Sequence, residues 1–309
     1  MATPESLNPA PLTGLGDYTY KKVLEDDYST GKLNLKIKGN TKILGTANYK
    51  GWLDIDKKQS KQETKFQFPY QNYFFQIATR EDGAKVHIDF GKVGNIRNGN
   101  VNLFANAKFT SSEFGKAIIR VGGVTQWNTV NHHLRFEYNP STAVNLLSRI
   151  SYKNKSCVFT ASEDFQITGG FGVKRLDFIA GCLSKNYDIF FRHLTNQPTQ
   201  SKALSQLTNG RLLFDFIYRQ NKQTFGVETE YDLAKSQFNA LVGVATKVEN
   251  VDLKARVNLI QQKLALSGKG KINDRFNWTL STEVPLNGSL PTKQGILPLP
   301  IGFTLDASL

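Results

Sequence analysis

Few residues in this sequence could carry covalent or metal chemistry, and their placement argues against it. His132 and His133 are adjacent, so in an extended strand they point to opposite faces and cannot grip one metal from one side. His87 and His193 are dispersed, and no metal site or cofactor is expected. Gly169-Gly170-Phe171-Gly172-Val173-Lys174 is glycine-rich, yet no helical pattern follows it to receive a phosphate, which excludes a nucleotide-binding fold. Small residues there fit strands whose neighbours approach closely. No Ser/His/Asp set stands out, and the chain is not expected to be an enzyme. Cys157 and Cys182 lie in separate strand-like segments and read as free thiols, because a disulfide scaffold would be Cys-dense.

Fixed charge is the chemistry that remains. Lys and Arg number 39 against 26 Asp and Glu, a net charge of +13, which implies anionic partners: nucleic acid, acidic lipid or small anions. The cations recur on the polar faces of alternating segments. Lys32, Lys36 and Lys38 lie opposite Leu33, Leu35 and Ile37, and Lys254 and Arg256 alternate with Leu253, Ala255 and Val257. Lys269 and Lys271 occupy the following segment, and Arg211 and Arg219 bracket a run whose apolar face is Leu212, Phe214, Phe216 and Tyr218. With the apolar faces toward lipid, these cations project into a lumen. A positive field there would concentrate small anions.

The elements that must position these charges are strands. The alternation continues through Lys85-Val86-His87-Ile88-Asp89-Phe90 and is clearest in the last stretch, where Ile301, Phe303, Leu305, Ala307 and Leu309 share one face. Gly302, Thr304, Asp306 and Ser308 share the other. Strict alternation argues strand rather than helix. An apolar ribbon at the chain end would be an exposed edge in an open sheet but has two neighbours in a closed barrel.

Turn signals at Glu81-Asp82-Gly83, Arg97-Asn98-Gly99, Tyr138-Asn139-Pro140-Ser141, Lys153-Asn154-Lys155, Gln220-Asn221-Lys222 and Ile272-Asn273-Asp274 divide these runs. The pattern gives about 19 or 20 strands, with residues 43–57 and 166–184 open to division or merger. One polar loop, Thr195 to Asn209, interrupts it. Membrane strands of about 9–11 residues joined by short turns account for this length.

Apolar residues make up 39% of the 309, yet 21 Phe and 11 Tyr are present, which suits strands that show one face to an apolar medium. Tyr70, Tyr73, Tyr138, Trp278 and Trp52 fit an interfacial girdle at strand ends. No run approaches the roughly 18 apolar residues of a spanning helix, and residues 1–12, MATPESLNPAPL, show neither a secretory signal nor an Arg-rich presequence. Leu15 to Glu25 could form a short, modestly amphipathic helix, followed by the connector Asp26 to Gly31.

Three stretches resemble the mitochondrial porins, the voltage-dependent anion channel family. They are Leu15-Gly16 through Gly31 to the segment Lys32–Lys38; Lys254–Asn258 with Leu264–Gly268; and Trp278–Ser281 through Asn287-Gly288 to Asp306. The linker departs from the family's glycine-rich hinge, being acidic at Glu25, Asp26 and Asp27. The family's membrane-facing glutamate has no evident counterpart in Gln71-Asn72-Tyr73-Phe74-Phe75-Gln76.

The resemblance implies an all-β transmembrane barrel of 19 strands over residues 32–309, first and last strands parallel, with residues 1–31 as an N-terminal segment carrying a short helix in the lumen. It would place Lys21 and Lys22 near the constriction, and would make Gly302, Leu305 and Ala307 a C-terminal insertion signal. It also implies a voltage-gated anion channel of the mitochondrial outer membrane, passing ATP, ADP and phosphate. Its partners would be membrane lipids, transient anionic metabolites and nucleotides, further copies of the chain or other mitochondrial membrane proteins, and no nucleic acid.

Two other readings compete. The related barrel of the outer-membrane protein-import translocase would call for a cation-attracting lumen. A soluble all-β module that binds nucleic acid or acidic lipid would need a stacking platform of aromatic and basic residues, and none is recognisable.

Overall fold

A computed structural model of the chain describes residues 23–24, 27–28, 31–41, 45–54, 59–71, 73–81, 83–96, 98–110, 113–140, 143–167, 172–196, 207–287 and 300–308. The first strands are β1 (Lys32–Thr41), β2 (Gly45–Asp54), β3 (Gln59–Tyr70), β4 (Tyr73–Arg80), β5 (Gly83–Ile96) and β6 (Gly99–Thr110). Then come β7 (Glu113–Gln126), β8 (Val130–Asn139), β9 (Ala143–Lys153), β10 (Cys157–Gln166), β11 (Gly172–Leu183) and β12 (Tyr187–Thr195). The last are β13 (Gly210–Gln220), β14 (Gln223–Asp232), β15 (Gln237–Val248), β16 (Val251–Asn258), β17 (Lys263–Lys271), β18 (Phe276–Pro285) and β19 (Ile301–Ser308). The open division of residues 43–57 and 166–184 is thereby settled, and each turn signal read from the sequence falls between two strands.

Each strand pairs antiparallel with the next, and β1 closes the ring on β19 in parallel. The parity of the strand count requires this. A meander reverses direction at every turn, so the first and nineteenth strands run the same way and can meet only in parallel. Leu33 lies opposite Phe303, Leu35 opposite Leu305 and Ile37 opposite Ala307. The seam thus joins apolar residue to apolar residue outside and polar to polar inside. Hairpins turn tightly at residues with positive φ, among them Gln71, Asn98, Asn221 and Glu249.

The outer wall is apolar and solvent-exposed, with Val121, Phe136, Ile150 and Phe159 each between 45% and 52% exposed on neighbouring strands. Apolar residues predominate on this wall, interrupted by polar ones such as His132, Ser148 and Glu163, as expected of a surface that meets lipid. This predominance counts against the soluble all-β alternative. Tyr70, Tyr73 and Tyr138 lie exposed on this wall near strand ends, and Trp278 lies on it against Gly268 and Gly270.

Trp52 is a correction. It stands opposite Asn34, which donates to Thr304 Oγ1 across the lumen face of the seam, so Trp52 falls on the lumen face and not in the outer girdle. Aromatic type had suggested the interface, whereas the register of β2 decides the face. The helix expected from Leu15 to Glu25 lies outside the described residues except for Val23 and Leu24.

The outward position of Leu35 is testable. Leu35→Arg should weaken folding into lipid vesicles by about 2–4 kcal/mol in a urea titration, the cost of a cation on the lipid face near the bilayer midplane. Asn34→Arg, one residue away and facing the lumen, should cost less than about 1 kcal/mol.

Candidate functional site

The alternation that places Leu33 and Leu35 outside turns Lys32, Asn34, Lys36 and Lys38 inward. The same parity places Arg211, Arg219, Lys254, Arg256, Lys269 and Lys271 on the lumen face. Their environments divide them into three groups.

Lys36, Arg211 and Arg219 are paired with acids of neighbouring strands. Lys36 Nζ lies 3.2 Å from Asp306 across the parallel seam, and Arg211 Nη1 donates to Glu230 at 3.1 Å. Arg219 pairs with Asp188 and also donates to the carbonyl of Ser184 at 3.2 Å, so it secures the turn between β11 and β12.

Lys254, Arg256 and Lys269 hold Leu24, Asp27 and Tyr28. Lys254 Nζ donates to Asp27 at 2.7 Å, and Lys269 Nζ stands 3.8 Å from the same carboxylate. Arg256 Nη1 donates to the carbonyl of Leu24 at 2.7 Å, and its guanidinium lies 4.5 Å above the Tyr28 ring. Tyr28 Oη closes the local structure by donating to the carbonyl of Val23 at 3.0 Å. Lys32, Lys38 and Lys271 form the third group. They are exposed on the lumen face and make no ion pair among the described residues.

Apolar side chains seat the segment. Val23 and Leu24 are buried against Val158, Ile179, Phe190, Ile217 and Leu241, which project inward from β10, β11, β12, β13 and β15. Two inward glycines make room for them. A Cβ on Gly243 would stand 2.8 Å from Leu24, and one on Gly226 would meet both Leu24 and Val23 at 3.3 Å. Beside this seat, Arg192 donates to both oxygens of Asp215, at 2.7 and 2.8 Å, and to Glu228 at 2.6 Å. Arg192 and Asp215 are at most 1% exposed. An ion cluster removed from water this completely survives only with its hydrogen bonds made, and it ties together the strands that carry the seat.

The sector of the wall formed by β5 to β8 is different. Phe104 stacks on His133 at 5.4 Å and lies 6.0 Å from His87, all three buried on the lumen face. Arg120 pairs with Glu137 in the same sector. Sequence reading missed both this cluster and the apolar seat. A signal for the seat exists: Leu213 and Ile217 interrupt the alternation of Leu212, Phe214, Phe216 and Tyr218, as Phe190 does between Ile189 and Phe191. Apolar residues on both faces of a strand require a second apolar partner.

His132 and His133 do face opposite sides, His132 lying 3.3 Å from Ser148 Oγ on the outer wall. No group of residues able to hold a metal occurs among the described residues. Within β19, Leu305 and Ala307 face outward against Leu35 and Ile37, and Gly302 faces inward opposite Ser281. Lys21 and Lys22 lie outside the described residues.

No family model and no curated protein matches the sequence. Among solved structures, the chain is similar to an engineered mutant of a porin from Rh. blastica, with a TM-score of 0.51 and 8% identity over 74% of this chain and 87% of that one. At that identity the likeness concerns the fold, and the class it defines is a porin-like β-barrel.

The Asp27 latch has a pH signature. Burial alone would raise the Asp27 carboxyl, but its hydrogen bond to Lys254 and the charges of Lys254, Lys269 and Lys36 hold it below the ordinary value of 3.8. Burial pushes the Tyr28 hydroxyl up to about 12, so it stays protonated and keeps donating. A carboxyl lowered on docking stabilises the docked state fully above its free value and loses that contribution as pH falls through the docked one. Amide exchange of the peptide containing residues 23–28, corrected for intrinsic rate, should stay constant from pH 6 down to about 4.5 and rise below 3.8. Asp27→Asn should raise it by roughly threefold to tenfold at neutral pH and remove the acid step.

Proposed function

We propose that this chain is a passive diffusion channel for small hydrophilic, mainly anionic solutes, phosphate, ADP and ATP among them, in the mitochondrial outer membrane. The carrying observation is the state of the lumen cations. The lumen acids Asp306, Glu230 and Asp188 are engaged by Lys36, Arg211 and Arg219, and Asp54 and Asp252 face the same lumen, while Lys32, Lys38 and Lys271 stand exposed on that wall in no ion pair among the described residues. Fixed charges of one sign in a low-dielectric channel raise the local concentration of the opposite ion.

The mitochondrial placement and voltage dependence rest on the resemblance of the first strand, the late strands and the final hairpin to mitochondrial porins. The same resemblance supports association with lipids, with further copies of the chain or with other mitochondrial membrane proteins. It is supported as well by an odd strand count closed by a parallel pair. Transport rather than catalysis fits a lumen wall whose polar side chains are largely engaged in ion pairs with one another. The protein-import alternative is disfavoured by the same cations, because a lumen that conducts basic presequences gains from acidic walls.

The test is the reversal potential of single channels in a planar bilayer across a salt gradient. The wild-type sign should report anion preference. Reversing the three unpaired cations together, Lys32→Glu, Lys38→Glu and Lys271→Glu, should lower the anion-to-cation permeability ratio by roughly a factor of two or more. Cation preference in the unaltered protein would contradict the proposal, and an unchanged ratio in the triple variant would contradict the assignment to these residues.

A further inference from the structure

The two cysteines of the chain meet across one strand pair. Cys157 opens β10, Cys182 lies near the end of β11, and the register sets them directly opposite each other. The next pair toward the rim, Ser156 and Leu183, is hydrogen-bonded, Leu183 N–H donating to Ser156 O at 2.7 Å. Antiparallel pairs alternate, so Cys157 and Cys182 form a pair without backbone hydrogen bonds between them, the kind whose Cα atoms stand about 4.5 Å apart with side chains close together. A disulfide spans Cα separations of about 4.4–6.8 Å. Both thiols are free and exposed.

Their location makes them reachable. Cys157 shares the outward face of β10 with Phe159 and directly follows the turn at Asn154, whose Oδ1 accepts from Cys157 N–H at 2.6 Å. Tyr187 and Tyr218, paired on the neighbouring strands, mark the same rim. On the reverse side of the wall, Val158 and Leu183, each adjacent in sequence to one cysteine, pack into the seat of Val23 and Leu24.

We propose that Cys157 and Cys182 are a vicinal dithiol that a small-molecule disulfide of the glutathione class oxidises to a cross-strand disulfide. One cysteine thiolate attacks a sulfur of the small disulfide, whose S–S bond breaks and releases one thiolate with the bonding pair. The second cysteine thiolate attacks the protein sulfur of the resulting mixed disulfide and releases the second small thiolate. The two departing thiolates take up the protons the cysteines gave up. Two protein thiols are oxidised and one small disulfide is reduced to two thiols. The product staples β10 to β11 directly behind the seat of the N-terminal segment.

The full chain, refolded in phosphatidylcholine vesicles, is incubated with oxidised glutathione and then with a maleimide-bearing polymer, and its intact mass is read. Both thiols should be lost together, with a mass decrease of two hydrogens and no retained glutathione, and a reductant should restore both. Cys182→Ser should instead keep one glutathione on Cys157, because no neighbouring thiol can displace it. Glutathione retained on both cysteines of the unaltered chain would overturn the proposal. So would disulfide-linked dimers, or thiols that stay maleimide-reactive for as long as Cys182→Ser needs to take up its adduct, or a failure of both proteins to react.

Discussion

Every strand of this chain depends on one constraint: backbone N–H and C=O groups facing a hydrocarbon medium must find partners within the protein. Leaving one unpaired costs several kcal/mol, and an open sheet of this size would leave two whole edges unpaired. The parallel pairing of β1 with β19 removes both edges at once. It also fixes the faces, because the seam is in register only when Leu35 meets Leu305 outside and Lys36 meets Asp306 inside. A slip of one residue would turn every lysine of β1 toward lipid.

Once the faces are fixed, the lumen wall does two jobs in two sectors. Between β10 and β17 it carries an apolar seat, a buried ion cluster around Arg192, and three cations that grasp residues 24, 27 and 28. The docked segment therefore neutralises part of the positive wall. On β1 and at the end of β17, Lys32, Lys38 and Lys271 keep their charge exposed to the lumen. The distribution of acids, more than the net charge of the chain, decides which cations reach a passing solute.

Much of the fold was legible because alternation is a strong signal when one face meets lipid and the other water. The strands, their turns and the closed ring followed from it. The roles of individual residues did not. Trp52 was misassigned because its residue type was given more weight than its register. Asp27 read as part of an atypical acidic linker, and only the spatial neighbourhood shows that its charge meets Lys254 and Lys269. Likewise, Gly226 and Gly243 are ordinary strand glycines until Val23 and Leu24 are seen above them. Contacts between residues so distant in sequence leave no local periodicity to read.

The central claim is closure, and the most direct measurement is solid-state NMR of the full chain in lipid bilayers, reading backbone contacts between the first and last strands. The account predicts cross-strand contacts that pair Leu33 with Phe303, Leu35 with Leu305 and Ile37 with Ala307, all in parallel register. Absence of contacts between these strands, or a register that pairs them antiparallel, would contradict the closed barrel.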